Sequence, residues 1–237
     1  MRRASYLSAV EREAAALRGV ASTRDLATAV PACPGWDLER LVGHIGRVHR
    51  WSAGWAAAGA APSVERPPGG PDVVAWSAAG TQELVAALAE GDDDAIGPTW
   101  AGDRPGIFWP RRMAIETALH RWDAEAAVGV PAPIHAELAV EAIDELFDVL
   151  VPERAAGALA GAGETLHLHA TDVAGEWLIT LTAEGPHVER SHAKGDVAAR
   201  GTASDLLLFL WNRVGADRLT VFGDAALLDR WTTSVTF

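Results

Sequence analysis

Through the first half of the chain the apolar positions recur at helical spacing. From Asp37 onward Leu41, Ile45, Val48 and Trp55 form one stripe, and His44 lies inside it. The pattern predicts helices at about residues 3–19, 37–58, 72–89 and 107–128. Asp37 is placed to cap the second, and Pro34-Gly35 stops anything before it. Ala61 to Pro71 is too rich in Pro and Gly for regular structure, and Gly91 to Ala95 with Gly97-Pro98 reads as a turn. A further helix is expected from about His135 to Val149.

Beyond residue 160 the period changes from helical to alternating. Thr165–His169 and Glu176–Thr182 read as strands, with weaker runs near His187–Ser191 and Val197–Gly201. Thr202 or Ser204 opens a Leu-rich helix to about Arg213, Leu219–Val221 is a short strand, and Ala225–Trp231 a last helix. The expected architecture is therefore a mainly α four-helix bundle with a linking helix over residues 1–150, followed by a small α+β domain over 155–237. The boundary is expected in Val151–Gly157. No internal repeat and no Gly-rich phosphate loop interrupts this pattern.

Within the helical half, Glu116 and His120 are spaced i,i+4, so a carboxylate and an imidazole reach the same point in space. That is half of a metal site. His44 can supply a third ligand from another helix, and two His with one carboxylate is a set used by catalytic zinc, which keeps a position open. Asp123 continues the ridge one turn on, where it could orient a ligand, join the metal shell or hold a substrate. His49, five residues after His44, is rotated by roughly 140° and is expected nearer solvent, outside the set. The spacing alone also fits a surface Glu–His pair and a satisfied core histidine.

Other residues bear the same weighing. His167 and His169 share one side of a strand and could bind metal, though an exposed polar face is the commoner cause of such alternation. Cys33 lies beside Pro34 with no basic partner in the local sequence, which favours a small buried hydrophobe over a nucleophile. Arg213, after the Leu-rich helix, could clamp a carboxylate or simply favour a helix C-terminus. Trp36, Trp51, Trp55, Trp109 and Trp122 fall in the segments carrying the candidate ligands, as pocket walls or as core filling.

A net charge of −12 disfavours nucleic acid or an anionic membrane as partner. A single cysteine excludes an intrachain disulfide framework and fits a reducing cytosol. No run of about twenty apolar residues is present, and Met1-Arg-Arg does not open a signal peptide. The expectation is a cytoplasmic protein, monomer or homodimer, acting on small molecules.

The run Val30-Pro-Ala-Cys-Pro-Gly-Trp-Asp-Leu-Glu-Arg-Leu-Val-Gly-His44 and the run Glu116-Thr-Ala-Leu-His-Arg-Trp-Asp-Ala-Glu125 resemble the mycothiol-dependent maleylpyruvate isomerase family. Thr171–Leu178, Arg200–Leu208, Trp211-Asn-Arg213 and Val221–Asp224 resemble that family's second domain, so the likeness covers nearly the whole chain. The resemblance implies a DinB-like bundle in which His44, Glu116 and His120 bind a divalent metal, usually zinc. It also implies mycothiol as thiol cofactor, with Arg213 in the segment that contributes to the active site; Asp123, from its place one turn beyond His120, is the other candidate catalytic residue. In such an isomerase the thiolate adds to the cis double bond of an enone dicarboxylate, rotation follows, and the thiolate leaves as the trans isomer forms. A mycothiol S-transferase and a metal-stabilised binding module without catalysis remain alternatives, as does a metal-free helical protein.

Overall fold

The computed structural model describes residues 1–154 and 156–235. Contacts divide the chain into two units, Met1–Ala132 and Pro133–Phe237. The first contains α1 (Arg3–Thr23), α2 (Leu38–Ala58), α3 (Asp72–Leu88), a hairpin of β1 (Ile96–Thr99) and β2 (Gly102–Pro105), and α4 (Phe108–Ala127). The four helices form a bundle, with α1 against α4 and α2 against α3 as principal pairs. Leu17, Leu38, Leu41, Val42, Ile45 and Val73 make one buried cluster between them.

Local chemistry explains the limits of α2. Asp37 Oδ1 accepts from the Arg40 N–H at 2.8 Å, the cap the sequence predicted. At the other end Gly59 adopts φ 64°, and its N–H donates to Trp55 O. Along the α3 side a Cβ on Gly46 would fall 2.7 Å from the Trp76 ring and 2.8 Å from Ser77 Cα, so glycine permits the close approach of these helices.

An internal ion network ties α1 to α4. Arg121 Nε donates to Glu13 Oε2 at 2.7 Å, and its Nη1 donates to Glu125 Oε2 and to the Ala132 carbonyl, each at 2.6 Å. Arg121 and Glu13 are both buried.

The hairpin was expected only as a turn. Its strands pair Thr99 with Gly102 and Pro98 with Asp103, and the Thr99 hydroxyl donates to the Gly102 carbonyl at 2.7 Å. Its positions are mostly exposed, so no alternating apolar signal marks it.

The second unit begins with α5 (Ala136–Glu145), which runs through a π-helical turn (Leu146–Leu150) into α6 (Val151–Arg154). The sequence pattern attached this helix to the bundle, whereas by contacts it belongs with the sheet unit. Leu138, Ala139 and Ile143 are buried on α5, and Trp177 Nε1 donates to Asp144 Oδ1 at 2.7 Å. Of the boundary run Val151–Gly157, Ala155 lies outside the described residues.

After a 3-10 turn at Ala156–Leu159 come β3 (Thr165–Ala170), β4 (Glu176–Thr182), β5 (Gly185–Glu189), β6 (Val197–Gly201), α7 (Ala203–Leu210), β7 (Thr220–Gly223) and α8 (Ala226–Ser234). The sheet order is β5-β4-β3-β6-β7, antiparallel except where β3 and β6 run parallel. Leu166, Leu168, Trp177, Ile179, Leu181, Val197 and Ala199 form its buried face. Thr202 caps α7 by accepting from Asp205 N–H, while the buried Ser204 hydroxyl instead accepts from Ile134 N–H. The helical first half and small α+β second half are the fold class read from the sequence. Among the described residues no helix is long and apolar enough to cross a membrane.

Candidate metal centre

α2 and α4 bring His44, Glu116 and His120 to one point. Glu116 Oε1 lies 3.0 Å from His44 Nε2 and 3.4 Å from His120 Nε2. The two imidazole rings meet edge to face, with centroids 5.0 Å apart. The side chains of His44 and Glu116 keep some exposure, 28% and 20%, while His120 is nearly buried.

Buried groups fix the far sides of two of the ligand candidates, Glu116 and His120. Arg112 Nη2 donates to Glu116 Oε2 at 2.7 Å, which leaves Oε1 as the oxygen turned to the imidazoles. His120 Nδ1 lies 2.9 Å from Oδ2 of the fully buried Asp123. An Nδ1–H held by a carboxylate turns Nε2 toward Glu116, the arrangement that commonly orients metal-ligating histidine. Arg112 was missed in the sequence, although its i,i+4 spacing to Glu116 was there to read.

The loop before α2 covers the cluster. Cys33 O accepts from Trp36 N–H at 2.9 Å, with Pro34 second and Gly35 third at φ 79°, the signature of a type II turn. This turn places the Trp36 ring 4.9 Å from His44 and 6.1 Å from His120. It also brings Cys33 Sγ to 3.6 Å from Asp123 Oδ2, a proximity invisible in the local sequence. Cys33, His120 and Asp123 thus form a second donor group that shares the His120 imidazole. Trp51, Trp55 and Trp109 contact one another in a separate aromatic group, and Trp122 is buried.

The charges follow from these contacts. Burial alone would push the Glu116 carboxyl up, but hydrogen bonds from His120 and His44 and the Arg112 charge hold it well below its usual range. Burial would likewise favour neutral His120, yet hydrogen bonds with Asp123, Cys33 and Glu116 raise its pKa well above the usual value. In the absence of a cation a proton thus sits where positive charge is wanted. A metal taken up at this cluster would have to displace it, so its affinity is expected to rise with pH. Replacing Asp123 by Asn should weaken zinc binding by about 10–100-fold, the usual cost of losing such a partner. Competition with a chromophoric chelator reads this directly, and an unchanged affinity would deny Asp123 that role.

His49 is not near solvent, as its rotation from His44 suggested. It is fully buried, hydrogen-bonded to the hydroxyls of Thr81 on α3 and Thr117 on α4 at 3.2 and 2.9 Å. With α3 and α4 both packed on α2, the buried arc is wider than one apolar stripe. Burial lowers the His49 pKa to about 3. Both states are neutral above about 6.5, whereas below it only the unfolded chain takes up this proton. Stability should therefore fall by about 1.4 kcal/mol per pH unit as pH drops from 6.5 toward 3. Denaturant titrations of wild type and His49→Gln between pH 7.5 and 4.5 test this, and equal slopes would refute it.

Arg213 belongs to the second unit, just beyond α7. Its Nη1 donates to the Trp211 carbonyl at 2.9 Å, and its guanidinium lies 5.4 Å from the Trp211 ring centroid. Asn212 before it takes the left-handed conformation, φ 56°, and its amide donates to the carbonyls of Thr232 and Val235. The Trp211–Arg213 turn is thus pinned to the end of the chain.

A helical bundle presenting two imidazoles and a carboxylate, followed by a small α+β unit, defines a two-part protein with a candidate metal centre. Residues 7–125 match the Mycothiol maleylpyruvate isomerase N-terminal domain and residues 137–230 the MDMPI C-terminal domain, and the chain belongs to this family. Solved structures share its fold, two of them of one enzyme. The mycothiol-dependent maleylpyruvate isomerase superposes with TM-score 0.60 at 15% identity, and its histidine-to-alanine mutant with 0.59 at 14%, each covering 93% of both chains. No protein of curated function matches the sequence.

Proposed function

We propose that this chain is a metal- and mycothiol-dependent enzyme that isomerises an enone dicarboxylate of the maleylpyruvate type. The observation that carries the reading is the orientation of the ligand candidates. His44 Nε2, His120 Nε2 and Glu116 Oε1 turn to one point, while Arg112 holds the far side of Glu116 and Asp123 that of His120. Two imidazoles and a carboxylate suit zinc and leave a position open. A bound divalent cation there supplies Lewis acidity, which lowers the pKa of a thiol or water in the open position.

The chain's own groups prepare that position. Arg112 keeps Glu116 charged and fixes which oxygen faces inward, and Asp123 holds the His120 ring. Asp123 Oδ2 meets the Nδ1 edge of His120, opposite Nε2, which supports an orienting role for Asp123 over that of a fourth donor in a closed binding module. Trp36 walls the cluster and limits water beside His44. Arg213 is the proposed carboxylate anchor, since its planar fork matches a carboxylate.

Family membership supports mycothiol as the thiol, and the test begins there. Zinc-loaded protein should bind mycothiol through sulfur and bring its thiol well below the roughly 8.5 of a free cysteine, read by ultraviolet thiolate absorbance. Isomerisation of maleylpyruvate would support the narrower claim. Conjugation of an electrophile in its place would make the protein a mycothiol S-transferase. If mycothiol at millimolar concentration neither binds nor perturbs the metal, the thiol-dependent reading fails.

A further inference from the structure

The outer face of the C-terminal sheet carries a second group of the same chemical kind. His167 and His169 stand two residues apart on β3, and Glu176 on β4 is the direct cross-strand partner of His169. His192 reaches the same carboxylate from the loop after β5. Glu176 Oε2 lies 3.1 Å from His167 Nε2 and 2.6 Å from His192 Nδ1, while Oε1 lies 3.1 Å from His169 Nδ1.

The arrangement parallels the one in the bundle. There, one oxygen of Glu116 faces two imidazole nitrogens and Arg112 holds the other. Here, one oxygen of Glu176 faces two imidazole nitrogens and His169 holds the other. The donor atoms of His167, Glu176 and His192 all lie within 4.8 Å of one another, the span a single ion needs. From these distances we infer a second divalent-metal site in this protein, formed by His167, Glu176 and His192, with His169 positioning the carboxylate.

Its chemistry selects a borderline cation. Two imidazoles with one carboxylate oxygen suit zinc, nickel or copper, and offer too few oxygens for magnesium or calcium. The donors differ in freedom. His167 is buried in the sheet face with 8% side-chain exposure, whereas His192 is 81% exposed on its loop. The first two donors are thus fixed by strand register, and the third can close over an ion arriving from solvent. A cavity of about 690 Å³ opens on this face, with Lys194, Asp196, Arg200 and Phe222 around it. Positive and negative side chains both border it, so the imidazoles and carboxylate, rather than a surface field, must provide the affinity.

The test counts zinc on the full chain purified without a histidine tag, using dialysis equilibrium and elemental analysis. Wild type should hold two equivalents, Glu176→Gln one, His120→Ala one, and the double variant none. His192→Ala guards against misfolding, because its side chain lies in solvent. It should retain the bundle ion and weaken the second by at least about 10-fold. A wild-type protein that holds only the ion removed by His120→Ala would overturn the inference. So would a Glu176→Gln or His192→Ala protein with unchanged zinc stoichiometry and affinity. If the bundle site instead fails to bind, His120→Ala would leave the zinc count unaltered while Glu176→Gln still removed one equivalent, so the two readings fail separately.

Discussion

Replacing His120 by Ala is expected to reduce zinc affinity at the bundle cluster by more than about 100-fold, because changing a mere outer partner of a ligand already costs 10–100-fold. The substitution removes the imidazole that faces Glu116 through Nε2 and Asp123 through Nδ1. Elemental analysis of tag-free protein and thermal unfolding with and without zinc would measure it. An ion present at 100 times its dissociation constant stabilises a folded protein by about 2.7 kcal/mol, so wild type should gain on adding zinc. The variant should lose the part of that gain due to the bundle site. His44→Ala separates loss of the ion from damage to the fold, because it leaves the His120–Asp123 pair intact. Full occupancy of the bundle site in either variant would end the assignment of these three residues as ligands.

The second large effect concerns stability alone. Arg121→Leu should destabilise the protein by roughly 3 kcal/mol, since the buried Glu13 carboxylate loses the partner of its Oε2 and keeps only the largely exposed Arg12, 3.1 Å from Oε1. Glu13 on α1 loses its 2.7 Å partner, while Glu125 and the Ala132 carbonyl lose the Nη1 donor that anchors the end of the first unit. Denaturant unfolding followed by helical circular dichroism gives the number. Adding Glu13→Leu to the variant should recover part of it, because two apolar side chains can fill the gap between α1 and α4 without an unpaired charge. A loss under about 1 kcal/mol would show that Arg12 and solvent together satisfy Glu13 without Arg121.

Much of the helical unit was legible because its signals are local. Leu41 and Ile45 mark the inner face of α2 by spacing, with Val48 half-buried at its edge, Asp37 marks its start, and the four-residue step from Glu116 to His120 places both on one face of α4. His49 was misread because the same spacing argument assumes one buried stripe, whereas α2 is covered by two neighbouring helices. The hairpin at Ile96–Pro105 was hidden because its register rests on a Thr99 hydroxyl and Gly102 rather than on buried side chains. His192 could not be found from spacing either, since a loop delivers it to Glu176 across 16 residues. For α5 the apolar period was clear, but periodicity does not say which neighbour a buried face meets. The two units divide at Ala132 and Pro133, ahead of that helix.

The engagement of one Glu116 oxygen by Arg112 also bears on which ions the bundle can discriminate. A carboxylate free at both oxygens can grip a large cation in bidentate fashion, and calcium seeks six to eight oxygen donors. With Oε2 committed at 2.7 Å, Glu116 has a single oxygen to give, and the other two donors are nitrogens. Calcium and magnesium would find too little oxygen there to exchange for their hydration water. Arg112, which touches no ion itself, would in this way act as the filter that reserves the cluster for scarce, nitrogen-preferring metals.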